Sequence, residues 1–199
     1  MKKLCLAAAI FVFLCGAARA ESATARYYIP PSQFNAALQV MDLGFANVLA
    51  LFRNATGSFE FDEANKTVEN LRLAIDAAGI MANNSENTSD LMVLLGTNQY
   101  REISFISKEK ANFKDGKAEI RGTLNLHGMS KPFTLDATLN QMGKSPKAGG
   151  MWSSEGQAIG LSLRGTIKRA DFGMVDEPDM RSRFGETITL QMETQAIRQ

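Results

Sequence analysis

Apolar and polar residues alternate along most of the second half of the chain. The alternation is strict over 118–127, 133–140, 159–168 and 187–193, and it is weaker over 34–40, 52–61, 68–76 and 103–107. A period of two is that of a β-strand with one buried face. Asp115-Gly116 predicts a type I′ turn before the first strict strand, and residues 128–132 predict a second turn.

About eight such strands each have one apolar face, which must be covered by a second sheet or by closure into a barrel. Closure removes unpaired edges and therefore favours a barrel. One helical segment interrupts the strands. Asn87 is expected to cap it and Gly96 to end it, while Leu91, Leu94 and Leu95 form an apolar stripe that either packs in the core or closes one mouth. The pattern thus predicts an all-β fold, an antiparallel barrel of about eight strands with one short α-helix.

Small residues interrupt the apolar face of the stronger strands. They are Gly122, Ala137, Gly165 and Ala196. They either permit the bends that a barrel needs or leave unfilled space along its axis. Because the remaining inward residues are aliphatic and aromatic, a ligand in that space would be long and apolar.

The N-terminus has the composition of a secretory signal peptide. Lys2 and Lys3 precede an apolar run over 4–16, and Ala18-Arg19-Ala20 matches a cleavage site. We expect cleavage after Ala20, which makes 1–20 a signal peptide and 21–199 a single domain that is periplasmic or secreted.

Composition and motifs exclude several chemistries. A formal net charge of +1 does not indicate a nucleic-acid-binding face. Both cysteines, Cys5 and Cys15, leave with the signal peptide, so the mature chain has no thiol. His127 is the single histidine and falls on a polar strand face beside a turn, where we expect it to bond locally. No catalytic motif, metal site or cofactor is predicted.

Four segments, in this order along the chain, resemble the YceI family. Leu43-Gly44-Phe45 and residues 52–62 are similar to its L-G-hydrophobic element and to the F-x-x-x-x-G-x-hydrophobic-x-F-D strand that follows. Residues 122–135 are similar to its G-x-L-T-hydrophobic-x-G-V-T-K-P-V-T-L signature, and 167–173 to its I-x-R-x-D-F-G element. With the last strand, 186–196, the resemblance spans about residues 27–196.

The resemblance implies an extended, lipocalin-like barrel in the periplasm that binds a long isoprenoid or similar amphiphile without catalysis. The chain departs from the family at positions that are usually polar. Asp42 stands where a histidine usually precedes the L-G element, Leu49 and Leu51 stand where polar or basic residues are common, and 83–89 contains Asn and Ser where Arg, Asp and His are usual. These departures predict a ligand without a charged head group, or a remodelled pocket.

The leading hypothesis is binding, transport or sequestration of a long apolar lipid (an isoprenoid, an isoprenoid quinone or a fatty-chain amphiphile) inside the barrel. The predicted lining residues are Leu38, Val40, Phe45, Leu49, Phe52, Leu91, Leu94, Leu95, Phe105, Leu124 and Leu163. The alternative is a filled barrel that binds an inner-membrane or electron-transfer protein through Trp152 and the loop 174–185. An enzyme for an apolar substrate would need a buried carboxylate pair. A homodimer is left open.

Overall fold

The computed structural model describes residues 24–146, 156–174 and 183–199. The predicted signal peptide, Trp152 and most of the loop 174–185 lie outside these residues. The strands are β1 (Ala25–Ile29), β2 (Phe34–Asp42), β3 (Ala46–Phe52), β4 (Ala55–Asp62), β5 (Thr67–Asp76), β6 (Ile80–Ala82), β7 (Glu102–Ile106), β8 (Ala111–Asn112), β9 (Lys117–Leu126), β10 (Met129–Ser145), β11 (Gly156–Lys168) and β12 (Phe184–Arg198), with helix α1 (Ser85–Leu94) between β6 and β7.

Eight antiparallel strands close a barrel. Their order is β1-β4-β5-β7-β9-β10-β11-β12, and β12 pairs back with β1. The predicted fold, an all-β antiparallel barrel of about eight strands with one short α-helix, is confirmed. No helix among the described residues is long and apolar enough to cross a bilayer.

Strands β2, β3 and β6 extend the barrel wall at one end. The long strand β12 pairs with β2 along its first part, Phe184 to Thr194, and with β1 at its last residues. Pro30 and a 3₁₀ turn at Pro31–Gln33 separate β1 from β2, because prolines lack the N–H that would continue the ladder. Beyond β2, the sheet continues through β3 to β6, while β8 pairs with β5. The end of the barrel that carries the β2–β3 hairpin is called the mouth below, and the opposite end the floor.

Three local predictions are wrong. The predicted strand over 52–61 is two strands, because the chain leaves β2 at Phe52, pairs with β5 from Ala55 onward and pairs with β1 from Gly57 onward. Asn84, not Asn87, caps α1, and its side chain accepts a hydrogen bond from the Asn87 N–H. The second turn is His127-Gly128 alone, since β10 already pairs with β9 at Met129. By contrast, φ angles of 50° at Asp115 and 76° at Gly116 confirm the predicted type I′ turn.

Candidate functional site

The barrel interior is a continuous apolar core that runs from the floor to the mouth. Nine of the eleven predicted lining residues belong to it, and each is at most 4% exposed. They are Leu38, Val40, Phe52, Leu91, Leu94, Leu95, Phe105, Leu124 and Leu163. Contact of these side chains with a ligand stays a prediction.

The other two predicted lining residues lie outside the barrel. Phe45 is 92% exposed and Leu49 is 55% exposed. Leu49 lies on the outer face of β3, whose buried residues are Val48, Ala50 and Phe52, and Phe45 lies in the turn just before this strand. The prediction that Phe45 and Leu49 line the interior is therefore wrong.

Aromatic rings close the floor. Tyr27 stacks on Phe59 with ring centroids 5.5 Å apart, Phe61 meets both rings edge-on, and Phe113 packs against Phe61 at 6.1 Å. The Tyr27 hydroxyl donates a 2.6 Å hydrogen bond to Glu63 at the floor. Burial, followed by this bond and the negative charge of Glu63, raises the pKa of the Tyr27 hydroxyl well above its ordinary value.

This pKa shift predicts an alkaline loss of stability. Above about pH 10 the Tyr27 hydroxyl ionises in the unfolded chain but stays protonated in the folded one, so stability falls as the pH rises, by up to about 1.4 kcal/mol per pH unit. Tyr27→Phe should remove that component while costing about 1 kcal/mol at neutral pH for the lost bond. Urea unfolding of both proteins between about pH 8 and pH 11 measures the difference. Parallel pH profiles would contradict this assignment.

Two aromatic side chains occupy the space that glycines leave in the wall. A Cβ at Gly122 would lie 2.6 Å from the Phe105 ring, and a Cβ at Gly165 would lie 2.5 Å from the Phe133 ring. The two rings themselves pack edge to face at 6.5 Å. At these positions the glycines admit the protein's own side chains and leave no open channel.

Helix α1 crosses the mouth. Leu91, Leu94 and Leu95 are buried in the core, so the apolar stripe closes this end of the barrel. Past the helix, Gly96 lies against the ring of His127 in the β9–β10 turn, and a Cβ there would approach that ring to 2.9 Å. His127 Nδ1–H donates to the Phe172 carbonyl at 3.1 Å, and the His127 ring packs on Tyr100 at 4.9 Å. The expected local bond is therefore wrong in its partner, because His127 joins the β9–β10 turn to Phe172, 45 residues away in sequence.

Arg183 ties the other end of α1 to the barrel wall. Its guanidinium bonds Asp42 at 3.1 Å, Asp90 through a short ion pair, and Asn87 at 2.9 Å, with Glu86 at 3.6 Å. Burial alone would lower the pKa of Arg183. The Asp42 hydrogen bond and the negative charges of Asp90, Asp42 and Glu86 outweigh it, so the pKa of Arg183 is raised. These contacts form the Arg183 latch. Sequence reasoning missed it, because its parts stand far apart in the chain and belong to no local motif.

A second arginine, Arg169, is buried at the mouth. Its guanidinium donates to the carbonyls of Phe184 at 2.6 Å and of Met174 at 2.8 Å. It thereby holds the 3₁₀ turn Arg169–Phe172 against the start of β12. Sequence reasoning placed Arg169 in a motif but assigned it no role.

The outer wall carries open grooves of mixed charge. The larger one, about 830 Å³, is lined by Arg121, Thr134 and Glu109 among others. A second groove of about 700 Å³ crosses the outer faces of β9 to β12 and includes Glu119 and Arg164. Over the described ranges, no three His, Cys, Asp or Glu side chains converge as metal ligands. The apolar interior is therefore the better candidate site.

Comparisons with known proteins agree with this architecture. The profile of the YceI-like domain matches residues 27–196. A UPF0312 protein of Photorhabdus laumondii is 30% identical over 191 residues, which are 94% of this chain and 95% of that protein. The crystal structure of the Campylobacter jejuni YCEI protein is 25% identical, with a TM-score of 0.65 over 78% of this chain and 86% of the other. A polyisoprenoid binding domain from Saccharophagus degradans, 11% identical, shares the fold with a TM-score of 0.59 over 89% of this chain and 100% of the other.

Proposed function

Because the chain belongs to the YceI family, we propose that its barrel binds a long apolar lipid of the isoprenoid, isoprenoid quinone or fatty-chain type. It carries or sequesters this lipid without transforming it, in the periplasm or outside the cell after signal-peptide cleavage. The observation that carries the proposal is the unbroken apolar interior between the aromatic floor and α1.

The polarity of the interior selects the class of ligand. The buried polar or charged residues of the described chain are Thr67, Thr97, Ser107, Arg169 and Thr194. The guanidinium of Arg169 is engaged by main-chain carbonyls at the mouth. The rest of the interior wall therefore presents mainly apolar side chains to an apolar ligand chain. Burying roughly 400 Å² of such a chain gains on the order of 10 kcal/mol at about 25 cal/mol per Å². Ordering and association costs remove much of this, and the remainder is enough for about micromolar binding.

Uptake requires movement at the mouth. Protein side chains fill the interior, and the leucines of α1 close it. A lipid chain therefore enters when α1 lifts and inner side chains change rotamer. The same packed interior favours a second candidate function, in which the barrel is permanently filled and binds a membrane or electron-transfer protein.

A pair of leucine substitutions on one strand separates the two candidates. Ala137 faces inward and Thr138 faces outward on β10. Because side chains already fill the interior, Ala137→Leu should cost about 1–3 kcal/mol of stability and reduce uptake of a polyprenol at least tenfold, whereas Thr138→Leu should leave both nearly unchanged. Native mass spectrometry of the protein from its host, with organic extraction, first identifies any bound lipid.

A filled barrel gives a different pattern. In that case the host protein would carry no lipid, and neither the parent chain nor Thr138→Leu would take up polyprenol. That combination would reject the lipid-carrier proposal.

A further inference from the structure

The β2–β3 hairpin ends in an exposed apolar tip, defined here as Leu43, Phe45 and Leu49. Leu43 is 59% exposed and Phe45 almost wholly so. From residue 43 to residue 52 the chain has no charged side chain. Leu51 and Met81, which are partners across β3 and β6, continue the apolar outer face away from the tip.

The backbone conformation at the tip is more strained with leucine at position 43 than it would be with a smaller polar residue or glycine. Leu43 has φ 48° and Gly44 φ 77°, and the Phe45 N–H donates to the Asp42 carbonyl at 3.0 Å, which makes a type I′ turn. Asn, Asp and Gly suit the first of these positions, whereas a leucine is strained there. Within the described residues, the two other such turns begin with polar residues, Asp115 and His127. The exposed leucine therefore occupies this turn at a conformational cost.

Both faces of β3 are apolar. Val48, Ala50 and Phe52 point into the barrel, while Leu49 and Leu51 point away from it. A strand of this kind is typical of a sheet that is covered on both sides. Here the inner face belongs to the mouth of the barrel, and the outer face is open.

We propose that the apolar tip inserts into the hydrocarbon layer of a lipid bilayer and holds the mouth of the barrel against it. An uncharged, protruding hairpin end matches an acyl layer, and the exposure of Phe45 means that it projects beyond the surrounding surface. A second copy of the chain fits less well. A stable dimer needs about 800 Å² on each partner, from about 20 residues or more, and a few side chains on a narrow hairpin supply less.

Partition of the purified protein into vesicles tests the tip without any ligand. The vesicles are of pure phosphatidylcholine, because the tip carries no charge. Phe45→Ser should lower the partition coefficient about tenfold to a hundredfold. Ile106→Ser, which removes an exposed apolar side chain from the barrel wall, should leave it within about twofold. Partition should also be unchanged between about 0.05 and 0.5 M NaCl, since no ion pair is involved.

Leu43→Asn separates docking from a structural role of the tip. Asparagine suits the turn, so this variant should melt at a higher temperature than the parent chain and yet partition at least threefold less. The double variant Phe45→Trp with Trp152→Phe moves the single tryptophan of the chain to the tip. Its fluorescence emission should shift to the blue on vesicles and be quenched by brominated acyl chains.

Two results would overturn the proposal. One is equal partition of the parent chain and Phe45→Ser. The other is a dimer of the parent chain that Phe45→Ser dissociates, together with no vesicle binding, which would assign the tip to a second copy. The proposal stands apart from lipid carriage, because Ala137→Leu should partition normally while failing to take up polyprenol.

Discussion

Gly122→Ala is expected to destabilise the barrel by about 3 kcal/mol. An added Cβ would lie 2.4 Å from the Ile106 carbonyl oxygen and 2.6 Å from the Phe105 ring. The first contact is with the backbone of β7, which pairs with β9 through Ser104–Ile106. That backbone cannot rotate away, so the two strands must separate. Urea unfolding of the parent and the variant measures the loss.

Gly160→Ala is the matched control for this substitution. Gly160 also lies within a long barrel strand, but its nearest contact would be the Asn140 Cβ at 3.7 Å, an ordinary packing distance. Its free energy of unfolding should stay within about 0.5 kcal/mol of the parent value. Equal losses in the two variants would mean that close approach between β7 and β9 does not set the requirement for glycine.

The sequence predicts the parts of the fold in which burial alternates. Strands β9, β11 and β12 each have one face in the core and one in water, so their patterns indicate both the structure and its orientation. The sequence favours closure without requiring it, because two stacked sheets would also cover about eight one-sided strands. The motifs of the YceI family added an interior site that alternation alone does not imply.

The errors fall where alternation fails. Strand β3 is apolar on both faces, so its sequence does not say which side is inside, and Phe45 and Leu49 were assigned to the wrong one. The break between β3 and β4 lies at Arg53 and Asn54, where the chain changes its partner strands. No glycine or proline marks this position, so the sequence pattern does not reveal the break. The helix begins earlier than predicted. Asn84 and Asn87 are both good caps, so the sequence alone does not say which of them begins the helix.

Two departures from the family's usual residues meet in the Arg183 latch. Asp42, in the position usual for a histidine, bonds Arg183 from the end of β2. Asn87, in the stretch that is usually rich in Arg, Asp and His, bonds the same guanidinium from α1. The polar groups at the mouth thus hold the helix closed in this chain. This arrangement agrees with a ligand that lacks a charged head group.

Arg183→Met is expected to lower the free energy of unfolding by about 2 kcal/mol and to loosen α1 selectively. Removal of the guanidinium leaves Asp42 and Asp90 facing each other, each about one quarter exposed, without the cation that joins them. Amide hydrogen exchange in α1 should accelerate more than exchange in β9 or β11, because the barrel ladder does not depend on the latch. Lys110→Met is the control. It removes an exposed ion pair with Glu69 and should cost less than about 0.5 kcal/mol.

The latch also has a kinetic consequence if α1 is the gate. A helix held by fewer contacts opens more often, so Arg183→Met should take up and release a polyprenol faster, while the equilibrium affinity changes less than either rate. Stopped-flow transfer from vesicles measures both rates. If amide hydrogen exchange in α1 accelerates while the rates of polyprenol uptake and release stay unchanged, the helix opens without admitting the lipid. The lipid would then enter elsewhere.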